Sequence, residues 1–585
     1  WFRRVRLITM ADLFEDRFGT RSLARFYAIF QVVATVIVII GFRNLIAYKV
    51  TASLLIKPEA EWSAPEQASV AAYQEMQVLE GQVKAGTELS GDAQARLDEL
   101  RDRDKSGELR SYVSYLHSDF GKWSYYIIYS IIVGTYIVMG GLGAAAINEA
   151  LQGVLIVIFS IILIPGGLAA IGGWDALSER VEAADFQLLT EGGVGFWELV
   201  GIWLISIVQI HGIIGNMSVA GSAKDEFAAR FGAVSGTYAK RVMIILWAFC
   251  GLIAIAIYQG ATTLSDPDSA WGTMTLQLLR PGFLGMMMAG LLAANMSTIA
   301  AQTMAVSALF TRNVYKYLFP NTTQRGSVLA ARISIVVILG IGIVAAANMD
   351  DAYAVIQLLL TINVPFGAAV FLVFFWRRLT AAAVWSAVVV SAVINIIVPA
   401  WIGAVVPAIR EVESLQAQVS DEYGRETAVY FESVIRTNPN DPASPRIGQG
   451  RLHLELLVLD LFGMPVERMK LTNRNAARFL FDGAFPFLVL IAVSLFTRHP
   501  AQERIDLFFG KMKTPVGATP ELELAAMEET RKNPHRYDRT KLLGPNSNWE
   551  FTKWDKVDTV GFLVCLAFSF CILGMFWFVL DLASS

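Results

Sequence analysis

Long apolar runs separated by short polar turns fill most of this chain, and three polar stretches interrupt them. A bilayer core of roughly 30 Å is crossed by about 20 apolar residues in a helix. Runs of that kind predict about eleven spans: 26–48, 122–140, 149–171, 196–216, 242–260, 283–306, 329–348, 353–375, 380–402, 474–497 and 557–580. Several contain Gly, Pro or small residues, which membrane helices tolerate. A turn is expected near 141–148. The polar stretch 57–121 has sparse apolar residues and mixed charge, and reads as a solvated helical hairpin. The second, 403–473, begins amphipathic (AIREVESLQAQVSDEYGRE), passes the turn-rich RTNPNDPASPR and ends amphipathic (LHLELLVLDLFGM). The third, 498–556, holds Pro515, Pro520, Pro534 and Pro545 and reads as part loop, part surface helix.

Composition agrees with a membrane protein. Of the 585 residues, 55% are hydrophobic and 17% charged, where a soluble domain carries about 25% charge. A net charge of -3 argues against a nucleic-acid binder. The three cysteines all lie in apolar segments and form no CxxC pair, and the five histidines show no metal-ligand spacing. Basic residues set an orientation. With the N-terminal stretch cytoplasmic, the inner loops hold Arg3, Arg4, Arg6, Arg17, Arg21 and Arg25, then Lys224, Arg230, Lys240 and Arg241, then Arg312, Lys316 and Arg325, then Arg377 and Arg378. The short outer loops hold only Arg180 and Arg280. Stretches 57–121 and 403–473 then fall outside and 498–556 inside.

One apolar run is unusual. GLLAANMSTIAAQ, residues 290–302, places Asn295, Ser297 and Thr298 within one turn. Ser and Thr in membrane helices often bond the carbonyl one turn back, so local satisfaction is one reading. The other is that these oxygens face a ligand. Glu149 is a carboxylate in an apolar stretch, where such a group tends to be paired, hydrated or functional. Its simpler reading is a helix start near the interface. His211, in VQIHGIIGNMS, is either a hydrogen-bonded structural residue or a solute or proton contact. Gln357 is a polar residue in the apolar segment AYAVIQLLLTINVPFG, and Asn363 with Pro365 predicts a helix break there.

Five segments occur in one order that resembles the sodium:solute symporter family: LITMADLFEDRFGTRSLA (7–24), MGGLGAAAINEALQG (139–153), SAKDEFAARFGAVSG (222–236), GFLGMMMAGLLAANMSTIAAQTMAVSALFTRNVYKYL ending in LFTRNVYK (309–316), and FFWRRLTAAAVWSA (374–387). The resemblance implies an all-α polytopic membrane protein with the leucine-transporter-like inverted-repeat fold. Residues 1–402 would be the transporter core from the third core helix onward, with 57–121 and 403–473 as extracytoplasmic inserts. Residues 474–585 would be two peripheral transmembrane helices joined by the cytoplasmic loop 498–556. The family's peripheral helix and first two core helices are expected upstream of Trp1 or in a separate chain.

The resemblance also implies a sodium site at the Ala294 carbonyl and the Ser297 and Thr298 hydroxyls. Glu149 stands where relatives usually carry Asp, a position that in some of them serves a second cation or coupling. Gln357 lies near a glutamine that some relatives use for substrate. The chain departs from the family around Ser218 and Val219, where a Gln-Arg pair is usual. The implied function is sodium-coupled symport of a small polar organic solute by alternating access, with Na+ as the only cofactor and no enzymatic constellation. The implied setting is a lipid bilayer, that of a bacterial inner (plasma) membrane. The alternative is a transporter-derived structural or sensory subunit that does not transport. The outer inserts would either bind a protein partner or cap the vestibule.

Overall fold

A computed structural model of the chain describes all residues except 8, 85–89, 106–107, 184, 188, 190–194, 214–216, 218–219, 222, 260–262, 265, 350–351, 421–425, 438–443 and 585; within helices, the side chains of 140–151, Gln357 and a few others are also outside the description. Ser218 and Val219 therefore lie outside the described residues. Helices dominate. Among the described residues, eight are long and apolar enough to cross a membrane. Two more of the expected spans are shorter apolar helices, Phe196–Gly212 and Ala381–Ile397.

The chain folds as two compact units. One comprises residues 1–31, 188–238 and 356–568, the other 32–187, 239–355 and 569–585. In chain order the helices are α1 (Met10–Phe18), α2 (Arg21–Leu54), α3 (Ala64–Lys84), α4 (Gly91–Lys105), α5 (Asp119–Ile171), α6 (Phe196–Gln209), α7 (Glu226–Ile257), α8 (Ala270–Leu278), α9 (Pro281–Phe310), α10 (Gln324–Ala347), α11 (Ala352–Ile362), α12 (Val364–Phe375) and α13 (Ala381–Ala392).

The second unit holds the 290–302 run. Its core joins α2, α5, α9 and α10 through Val36, Ile40, Tyr129, Val133, Ile299, Ala300, Ile335 and Leu339. Gly342 on α10 lets α2 approach closely: a Cβ there would stand 2.6 Å from Ile40 Cγ2. Helix α9 starts with Pro281 at its first position, where no backbone N–H is needed. Helix α10 starts on Thr323, whose hydroxyl accepts from the Gly326 N–H at 3.1 Å. Helix α2 is not regular throughout. Thr35–Ile40 forms a π-turn between two α-helical segments.

Two expectations change here. The turn near 141–148 is absent: α5 runs unbroken for 53 residues, about 80 Å at 1.5 Å per residue. Gly140, Gly141 and Gly143 weaken a helix by about 1 kcal/mol each, but no proline removes a donor until Pro165. The two halves still serve different cores. Tyr129, Val133 and Ile137 join the α2/α9/α10 cluster, whereas Phe159 and Leu163 pack with Cys250 and Met287. Second, the stretch 403–473 is partly β. Strands β1 (Gln418–Ser420) and β2 (Glu426–Ala428) pair antiparallel, as do β3 (Phe431–Arg436) and β4 (Arg446–Leu452). FESVIR carries the β-branched pair Val434 and Ile435, a short strand signal that the flanking amphipathic segments overshadow. After β4 come α14 (Leu454–Leu461), α15 (Leu471–Phe496), α16 (Gln502–Lys513), α17 (Pro520–Lys532) and α18 (Lys556–Ser584).

The stretch 57–121 is the expected helical hairpin. Helices α3 and α4 pack through Tyr73, Met76, Leu97 and Leu100, and ion pairs Arg96–Glu75 (2.8 Å) and Arg101–Glu80 (2.9 Å) link their exposed faces. The expected break at Asn363 and Pro365 is also present: α11 stops at Ile362 and α12 starts at Val364 with Pro365 in its first turn.

Candidate functional site

The three oxygen-bearing groups of α9 do come together. Ser297 Oγ donates to the Ala294 carbonyl at 3.0 Å, and Thr298 Oγ1 points to the same oxygen at 3.4 Å. All three residues are half-buried. This is the back-bonding geometry of membrane Ser and Thr, and it also gathers two hydroxyls and a carbonyl at one spot. Neutral oxygens of this kind can replace part of the hydration shell of a monovalent cation in low dielectric. Among the described residues, no group of three or more His, Cys, Asp or Glu is placed to hold a metal.

Asn295 has a different task. It is buried, and its Nδ2 donates to the Arg43 carbonyl at 2.7 Å and to the Tyr129 hydroxyl at 3.2 Å. One amide thus ties α9 to α2 and α5. Asn295 reads as part of the ligand face in the sequence; in the fold it braces that face. Arg43 and Tyr129 were missed by sequence reasoning. The signal was present, since Arg43 is a charge inside the apolar run 26–48.

The other candidates are scattered. Glu149 lies on α5 and Gln357 on α11, with both side chains outside the described residues. His211 sits in a 3-10 turn after α6, in the other unit. Its Nδ1 donates to the Ile207 carbonyl at 2.7 Å, and its ring meets Phe371 edge-on. Close by in chain terms, the Gly212 carbonyl accepts from Tyr27 Oη (3.1 Å) and Gln31 Nε2 (3.1 Å), and Gln31 also donates to Asn363 Oδ1 at 2.9 Å. The polar groups at the α11/α12 break are thereby satisfied within their own unit. Gly367 follows the break, and any Cβ there would overlap the Val208 carbonyl.

Eight helices among the described residues that are long and apolar enough to cross a membrane define a class: polytopic α-helical membrane proteins. Residues 116–390 match the model of the sodium:solute symporter family. The sodium/proline symporter of Staphylococcus aureus is 26% identical over 369 residues, covering 57% of this chain and 71% of that protein, and that of strain USA300 / TCH1516 matches equally. A solved Na+-coupled sialic acid symporter in a substrate-bound outward-open state aligns with a TM-score of 0.40 and 14% identity, over 69% of this chain and 88% of that one.

Proposed function

We propose that the protein is a sodium-coupled symporter of a small solute, acting in a bacterial plasma membrane. The observation that carries this reading is the convergence of the Ser297 and Thr298 hydroxyls on the Ala294 carbonyl, inside the family-matching span. Sodium binding turns both hydroxyl oxygens from the helix carbonyl to the ion. Each back-bond given up is worth about 0.5–1.5 kcal/mol, which keeps the ion releasable. Alternating access then moves ion and solute together. One charge crossing about 100 mV supplies roughly 2.3 kcal/mol, and a tenfold sodium gradient about 1.4 kcal/mol more. Together these sustain a solute gradient of several hundred-fold. His211, its Nδ1 proton held by the Ile207 carbonyl, offers Nε2 as an acceptor to the solute. Gln357 is a second solute contact, and Glu149 serves a second cation or coupling.

The test is thermal stability of the purified protein in sodium against potassium and choline at equal ionic strength, for the native chain and Thr298→Ala. A sodium-specific rise that Thr298→Ala abolishes is the expected result. Equal stability in all three salts sinks the sodium site.

A further inference from the structure

We infer that the N-terminal end of α10 binds the headgroup of an anionic phospholipid, with Arg325 and Arg332 holding its phosphate.

Both arginines are exposed. They stand seven residues apart, two helical turns and about 10 Å along the axis, which puts them on one face of α10. An open groove of about 410 Å³ follows that face, lined by Gln324, Arg325, Val328, Leu329 and Arg332. Among the described residues, neither arginine pairs with a carboxylate or donates a hydrogen bond. The same unit treats Lys49 differently, setting Asp268 and Asp266 at 2.8 and 3.0 Å from its Nζ. The groove thus carries two guanidinium charges and no counter-charge from the chain.

Arg332 is the deeper of the two, about 12 Å past Gln324 at the helix start. Its stripe continues into apolar side chains with no cover: Ile333, Val336, Val337 and Val344 are each more than half exposed. A Cβ added at Gly340, two turns beyond Arg332 on the same stripe, would meet open space. In a helix long and apolar enough to span a membrane, this is a lipid-facing stripe. A guanidinium stays charged at physiological pH, and on such a face it is costly unless its head reaches the interface or an anion reaches it. The helix supplies the first condition. Side chains lean toward a helix N-terminus, so Arg332 reaches back over Val328 and Leu329 toward Arg325, with its stem on apolar surface and its head at the level of the lipid phosphates. The positive end of the helix dipole adds to the same field. Exposed Lys316, Leu318 and Phe319 precede the Thr323 cap, a basic and aromatic mixture suited to the membrane–water boundary.

The second condition selects the lipid. Guanidinium forks bind phosphate oxygens bidentately. A choline or ethanolamine headgroup brings its own ammonium, which two guanidinium groups repel. A phosphodiester with a neutral headgroup, as in phosphatidylglycerol, does not. The distribution of basic residues makes this end of α10 cytoplasmic, where anionic lipids attract such clusters.

The test reads the melting temperature of the purified protein in neutral detergent as phosphatidylglycerol is titrated in, against phosphatidylcholine with the same acyl chains and against inorganic phosphate. Phosphatidylglycerol is expected to stabilise the native protein well beyond phosphatidylcholine. Arg325→Gln and Arg332→Gln should each raise the half-maximal phosphatidylglycerol concentration about fivefold, and the double variant about thirtyfold. Arg332→Lys should lie between the native protein and Arg332→Gln. Arg280→Gln, which removes an exposed arginine at the start of α9, should change nothing. All these variants lie on the surface and should melt like the native protein before lipid is added. If the double variant melts lower, the two single variants decide by the same ratio. The inference is overturned if phosphatidylcholine stabilises equally or if the double variant responds like the native protein. It is also overturned if inorganic phosphate reproduces the rise, which would make the groove a site for free phosphate, or if Arg280→Gln weakens the response as much as Arg332→Gln, which would reduce the effect to net charge.

Discussion

Two arginines, one in each unit, are treated in opposite ways. Arg377, in the FFWRRLT segment, is surrounded by charge. It pairs with Asp506 at 2.5 Å and with fully buried Glu550, and Glu550 also holds Lys513 (2.8 Å) and Lys541 (3.0 Å). Lys513 in turn pairs with Asp538 at 2.5 Å. These groups come from α16, the segment after α17 and the turn just after α12, so the network stitches 498–556 to the turn that follows α12. Arg43 has no such partner among the described residues and is braced only through its backbone. A charge that a fold needs for its own cohesion is given its counter-charge by the fold.

The largest expected effect breaks the saturated side of this comparison. Glu550→Ala leaves Arg377, Lys513 and Lys541 buried around a missing anion, and breaking a buried ion pair from one side costs about 3–5 kcal/mol. A fall in thermal stability of many degrees should follow in any salt. Arg43→Gln breaks no pair and should leave stability nearly unchanged. If the two variants fall equally, Arg43 has an internal counter-ion and the comparison fails.

The same network gives a pH dependence. Burial alone would raise the Glu550 carboxyl, but the charges and hydrogen bonds of Lys513 and Arg377 outweigh it and hold the group below its ordinary range. Asp538 is lowered likewise, against its burial, by hydrogen bonds from Lys513 and His535. A depressed carboxylate contributes stability that is complete above the unfolded value of about 4 and is lost as pH falls below it toward the folded value. Melting temperature should therefore be flat from pH 7 to about 5 and fall below that. Glu550→Gln should start lower and fall less steeply. An identical acid slope in both would remove Glu550 from the titration.

The legible and illegible parts of the chain separate by the range of the forces involved. Apolar runs of bilayer length are local, and the helices stand where the runs are. The α11/α12 break was legible because Pro365 acts on its own backbone. The α3/α4 hairpin was legible from its mixed charge. The unbroken α5 was not, because three glycines look like a turn and nothing in the local sequence states that they stay helical. Strands β1 to β4 were hidden for a similar reason, being short pairings closed over long loops. On α9, the approach of Ser297 and Thr298 to the Ala294 carbonyl follows from i, i+3 and i+4 spacing on one helix. The role of Asn295 does not, since its partners Arg43 and Tyr129 are 252 and 166 residues away.

Asn295 offers the intermediate test. Asn295→Ala removes two hydrogen bonds and leaves the Arg43 carbonyl without the amide that caps it, at a cost of about 1–3 kcal/mol. Melting temperature should fall accordingly in any salt. Asn295→Gln, longer by one methylene, should not restore it.

The smallest effects lie on the proposed sodium patch, and they distinguish its two hydroxyls. Ser297 donates to the Ala294 carbonyl at 3.0 Å, a normal hydrogen bond, while the Thr298 bond at 3.4 Å is stretched. In choline, Ser297→Ala should therefore destabilise by about 0.5–1 kcal/mol and Thr298→Ala by less than about 0.5 kcal/mol. In sodium the order should reverse. A hydroxyl weakly tied to its own helix gives up less on turning to an ion, so Thr298 is the better ligand and Thr298→Ala should lose more of the sodium-specific rise. Thr298→Ser keeps the oxygen and should recover most of it. If both variants lose stability equally in choline and in sodium, the hydroxyls serve only their own helix.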